Sequence, residues 1–87
     1  MRLVLNRNER RKLIRKLDGE KEEGGKHTMV KVTIPGAVPV RFGLTRDITA
    51  PNNHLVDQMG ISRTQIMGLV RCDLTQEWYH EKRQGLG

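Results

Sequence analysis

Residues 52–72 read NNHLVDQMGISRTQIMGLVRC. Two short helices around a tight turn account for the pattern. Leu55, Val56 and Met59 make one apolar stripe, and Ile66, Leu69 and Val70 make a second at helical spacing. Gly60 stands one residue past the first stripe, where a helix end favours a left-handed residue. Ile61 is an apolar plug able to pin the turn to a core. Ser62 is a good N-cap for the second helix, its hydroxyl placed to accept from the backbone amide of Gln65 or Thr64.

This stretch resembles the repressor-type helix-turn-helix of DNA-binding proteins. Leu55 and Met59 match the apolar positions of its first helix, Gly60-Ile61 its turn, and Ile66 and Leu69 its second helix. Two positions depart from the pattern. Val56 stands where the motif prefers a small residue, and Gly68 costs about 1 kcal/mol of helix propensity relative to alanine. The resemblance covers about a quarter of the chain. It implies double-stranded DNA as partner, with the second helix in the major groove. Thr64, Met67, Gly68 and Arg71 then face outward, with Arg63 and Gln65 on the flanks. Arg63 can place two donors on a guanine edge and Gln65 can pair with adenine; Thr64 and Met67 can touch a thymine methyl. Ser62 and the helix start can hold phosphate, and Arg71, far along the helix, falls to the backbone. Without DNA, the same residues make an ordinary helical hairpin with its polar side in water.

Eighty-seven residues make one small domain with a modest core. Aromatic residues are few: Phe42, Trp78 and Tyr79. Oligomerisation would help such a domain, and a homodimer is expected. Cys72 is the only cysteine, which excludes a disulfide framework and a cysteine-rich zinc site. No apolar run is long enough to span a membrane, and Leu3-Val4-Leu5 is too short for a signal peptide, so a soluble cytoplasmic protein is expected.

The net charge of +6 points to an anionic partner, but it is unevenly spread. Residues 2–16 carry seven basic residues and one acid, Glu9, whereas residues 51–87 sum to zero. The cationic cluster is therefore outside the helical pair. Asn6 with Glu9 resembles a capping box, and residues 8–17 read as a helix with Leu13, Ile14 and Leu17 as its buried stripe. Arg7, Arg10, Arg11, Lys12, Arg15 and Lys16 are its candidate phosphate contacts, on DNA or on structured RNA; the bland alternative is a solvated surface helix.

Residues 18–26 hold no apolar side chain and read as a mobile linker. Residues 27–34 alternate as a half-buried strand, Pro35-Gly36 marks a turn, and residues 38–44 offer a second strand with Arg41 facing away from the core. The resulting hairpin can cover the core, act as a wing beside the helices, or expose a dimer edge. Asn52 or Asn53 is the expected cap of the first motif helix. Asp73 or Thr75 can cap a last helix in which Leu74 and Trp78 share a face.

The fold class expected is α+β: a basic N-terminal helix, a β-hairpin, a helix-turn-helix and a short C-terminal helix. Residues 1–17 form the basic helix, 18–27 the linker and 28–87 a small domain. Catalysis is not expected, because nothing fixes His27, His54 or His80 near Cys72, and no cofactor or metal is implied. The leading functional expectation is a sequence-specific DNA-binding regulator. The alternatives are a small protein-binding inhibitor or adaptor of a nucleic-acid machine, and an RNA-binding protein.

Overall fold

The computed structural model describes residues 3–22, 27–45, 49–52 and 54–85. The fold is α+β. In chain order it comprises α1 (Arg7–Lys16), β1 (Glu20–Glu22), β2 (His27–Val32), β3 (Val40–Thr45), α2 (Leu55–Met59), α3 (Arg63–Val70) and α4 (Gln76–Arg83). The strands form an antiparallel sheet in the order β1-β2-β3. Strand alternation sends Val30, Val32, Val40, Phe42 and Leu44 to one face, and all five are buried. Helices cover that face, and a single apolar cluster runs from Leu3 to Tyr79.

Helix α1 starts where the sequence places it. The Asn6 side chain accepts from the Glu9 amide at 2.8 Å, and the Glu9 carboxylate accepts from the Asn6 amide at 2.9 Å. A helix of this length is marginal alone. It persists because Leu13 and Leu17 are buried in the common core, each stabilising by about 2 kcal/mol. The basic helix is thus part of the same body as the rest of the fold.

The expected linker supplies a strand. Glu20, Lys21 and Glu22 pair with Lys31, Val30 and Met29 of β2. Hydrophobic patterning missed β1 because all three residues are exposed, and backbone pairing alone defines an edge strand. Residues 23–26 of that linker lie outside the described residues.

A polar node fastens the elements together. The buried Asn52 side chain accepts from the Thr45 amide at 3.0 Å, and the Asn52 amide donates to the Leu3 carbonyl at 2.8 Å. From the other side, the Arg10 guanidinium donates to the Leu5 carbonyl at 2.9 Å, to the Thr45 carbonyl, and to Thr45 Oγ1 at 3.0 Å. The N-terminal segment, α1, the end of β3 and the entry to α2 all meet here. Asn52 was expected as the cap of α2; that position belongs to His54, whose side chain makes no capping bond. The other expected cap, Asn53, is outside the described residues. Asn52 instead serves the node, because its position before α2 faces the sheet.

The outer edge of β3 is occupied. Gly43 donates its amide to Gln58 Oε1 at 2.9 Å, and Thr45 donates to Asn52. On the outer edge of β3 the amides of Gly43 and Thr45 are therefore already used, which narrows the edge that the hairpin could offer to a partner.

The corner between α3 and α4 explains two residues. Cys72 has φ of 66°, its amide donates to the Leu69 carbonyl, and the Asp73 amide donates to the Gly68 carbonyl at 2.8 Å. This is a Schellman ending with a cysteine in the left-handed position usually held by glycine. Cys72 is exposed and lies beyond the helix. Replacing Cys72 by glycine is expected to stabilise the fold by about 0.5–1 kcal/mol, by relieving strain. A urea titration checks this as a higher midpoint at unchanged slope; a lower midpoint refutes it.

Candidate nucleic-acid interface

The chain bends at Gly60. Its φ is 71°, and its amide donates to the Val56 carbonyl at 2.8 Å. A side chain here would be strained by that φ and would also meet the guanidinium of Arg83, which lies over the glycine. Ile61 is buried and pins the turn. Ser62 Oγ then accepts from the Gln65 amide at 3.1 Å, while the Ser62 amide donates to Gln65 Oε1 at 2.9 Å. This reciprocal box starts α3, and Ile66, Leu69 and Val70 turn its apolar side into the core.

The rest of α3 is divided. Thr64 and Arg71 are exposed, and Arg63 is half-buried. Met67 was expected to face outward, but it is half-buried and packs against the core. Gly68 was placed on the same outward face. Its α-carbon is instead covered by Leu74, and a Cβ there would approach Leu74 Cδ1 to 2.9 Å. The α3–α4 corner folds back over this part of the helix, which a helical wheel cannot show. Gln65 Oε1 and Ser62 Oγ both accept bonds at the helix start, so in a two-point contact with adenine Gln65 would have to share Oε1 with the Ser62 amide or release it. Among the described residues, Arg63, Thr64 and Arg71 keep all their side-chain polar groups uncommitted, while Gln65 keeps only its Nε2 amide and Ser62 its hydroxyl hydrogen.

On α1 the six candidate cations also separate. Arg10 is committed to Leu5 and Thr45 and holds the fold rather than a ligand. Arg7, Arg11, Lys12 and Arg15 are exposed, and Lys16 is half-buried. Helix α1 packs on α3. A cleft of about 580 Å³ opens between α1 and the α3–α4 corner, with Lys12, Arg15 and Lys16 on one wall and Cys72, Thr75, Gln76 and the acidic Glu77 on the other. The cations of α1 thus reach the C-terminal end of α3, close to where Arg71 emerges.

One residue that supports the helical pair was missed. Trp78, expected to share a face with Leu74 in the last helix, is half-buried against the core, but Tyr79 beside it is the residue fully enclosed. Its hydroxyl donates to the Met59 carbonyl at 2.9 Å, satisfying the last turn of α2. Burial pushes the Tyr79 hydroxyl pKa from 10.0 up to about 12, partly offset by the charge of Arg83. A tyrosine that buries its ring needs a partner for its hydroxyl, and that chemical demand was the available signal. Of the two expected α4 caps, Thr75 is the one used, accepting from the Trp78 amide at 3.1 Å.

Among the described residues, no helix is long and apolar enough to cross a membrane, and no group of acidic, histidine and cysteine side chains is placed to hold a metal ion. Comparison with family models, curated proteins and solved structures finds no match to this chain.

Proposed function

We propose that this protein is a sequence-selective DNA-binding regulator built on the α2–turn–α3 unit. The observation that carries the reading is the glycine-bent helix pair, with α3 apolar side inward, beside a cationic α1 packed on it. In this reading the N-terminal part of α3 enters the major groove. Arg63 supplies the paired donors that a guanine edge accepts, and Thr64 offers a methyl and a hydroxyl one position on. Arg71, Lys12 and Lys16 contact phosphates, which fix register and contribute sequence-independent affinity. Occupancy of a site then acts by blocking or recruiting other proteins on the DNA, and no chemical step is required.

The test is selection of bound duplexes from a random library, followed by affinity measurements on the selected site. A defined site should emerge, and Arg63→Ala should relax preference by about 1–3 kcal/mol at one base pair. Failure to enrich any sequence, with Arg63→Ala equal to wild type, would remove this reading. Sedimentation of the complex would count the chains on the site and test the homodimer that such motifs commonly form.

A further inference from the structure

The side of α1 away from the α3–α4 corner carries a second cationic groove. Arg7, Arg11 and Ile14 form one wall, and Lys21 and Thr28 of the sheet form the other, around a cleft of about 320 Å³. A neighbouring hollow shares Arg11, Ile14 and Lys21 and continues past Arg15 to the end of α1. The two make one groove along the helix. Arg7, Arg11 and Arg15 recur every four residues, so their bases are about 6 Å apart along the axis. That interval is of the order of the separation of successive phosphates along a nucleic-acid strand.

Among the described residues, the surrounding acids do not pair with these cations. Glu22 turns to the opposite face of the sheet, where its carboxylate lies 3.6 Å from Arg41 Nε. Lys21, between two glutamates in sequence, is the β1 residue that lines the groove. Among the described residues, no carboxylate lies within salt-bridge distance of Arg7, Arg11 or Lys21. Asp18 reaches only the far hollow, at the end of α1. Arg10, which also lines the cleft, is held by Thr45 and Leu5 and keeps α1 at a set distance from the sheet.

We propose that this groove binds the phosphodiester backbone of a nucleic acid, with Arg7, Arg11 and Lys21 as its phosphate contacts, independently of base reading by α3. The assignment rests on the DNA reading above only in taking nucleic acid as the partner. Lys21 was not among the phosphate contacts expected from the sequence. It reaches the groove because β1 brings it back beside α1.

The experiment is fluorescence anisotropy of a labelled random-sequence DNA duplex titrated with the protein over a series of salt concentrations. The variant Arg7→Gln/Arg11→Gln/Lys21→Gln should weaken binding roughly tenfold or more at low salt. It should also flatten the plot of log affinity against log salt by about 0.9 for each phosphate no longer neutralised. A single-stranded DNA probe should show the same weakening, with a slope change of about 0.7 per phosphate. Arg41→Gln, on the other face of the sheet, should leave the slope unchanged. An unchanged slope in the triple variant overturns the proposal, as does an equal effect of Arg41→Gln or no binding by the wild type at low salt. Because the probe has no defined site, the groove can pass where site selection and Arg63→Ala fail, and the reverse.

Discussion

Asn52→Ala is expected to lower the free energy of unfolding by about 2–3 kcal/mol, a large share of what a domain of this size has. The substitution leaves the Thr45 amide without its acceptor at a site that is 3 % exposed at Asn52. Water has little access to replace the missing bond, so the desolvation cost falls almost entirely on the folded state. The consequence extends beyond stability. Asn52 joins the N-terminal segment to the end of β3 and also accepts, through its own carbonyl, the Leu55 amide that opens α2. Loosening it should accelerate hydrogen exchange in α2 more than in β2. Arg10→Ala strikes the same node through Thr45, so the two substitutions should be non-additive. Urea unfolding of the single and double variants measures this. Simple additivity, or a loss from Asn52→Ala below about 0.5 kcal/mol, would show that the node does not hold the fold.

The second large effect is alkaline. The Tyr79 hydroxyl has an ordinary pKa of 10.0 in the unfolded chain and about 12 in the folded one. Below pH 10 both states keep the proton, and the contribution is fully present. Between pH 10 and pH 12 the unfolded chain releases its proton while the folded protein retains it. Stability then declines by about 1.4 kcal/mol per pH unit, or between two and three kcal/mol across the window. Above pH 12 both states are ionised and the decline ends. Tyr79→Phe removes this step, at a loss of about 1 kcal/mol near neutrality from the Met59 hydrogen bond. The measurement is unfolding free energy against pH for both proteins. Their difference isolates Tyr79 from everything else that titrates in alkali. Parallel curves from pH 9 to pH 12 would place the hydroxyl in water instead.

The helical pair was legible because its signals are local. Gly60 meets a steric demand of its own backbone, and Ser62 with Gln65 satisfies amides within one turn of itself. The same holds for Asn6 with Glu9 at the start of α1. Strands β2 and β3 were visible because one face of each is wet and the other dry, which leaves an alternating pattern. β1 was not, because an edge strand exposed at every residue imposes no such pattern. Among the candidate contacts, Arg63, Thr64 and Arg71 keep uncommitted polar groups on α3. Gln65 and Ser62 are drawn into capping, and Met67 is drawn toward the core. Capping was foreseeable for Ser62, since its hydroxyl oxygen accepts from the Gln65 amide three residues on; its hydrogen remains able to donate to a phosphate.

The sequence by itself determined the α+β class, the bend at Gly60, the caps at Asn6 and Ser62, and the concentration of positive charge in α1. Each follows from interactions between residues a few positions apart, or from composition, and needs no knowledge of the rest of the chain. Only the tertiary structure decided which charges are uncommitted and where they gather. Arg10 is consumed by a threonine thirty-five positions away, Lys21 is carried to α1 by a strand pairing, and Gly68 is covered by a leucine from the next corner. Those outcomes depend on contacts between distant segments, and a side chain's residue type does not reveal which distant group will reach it first.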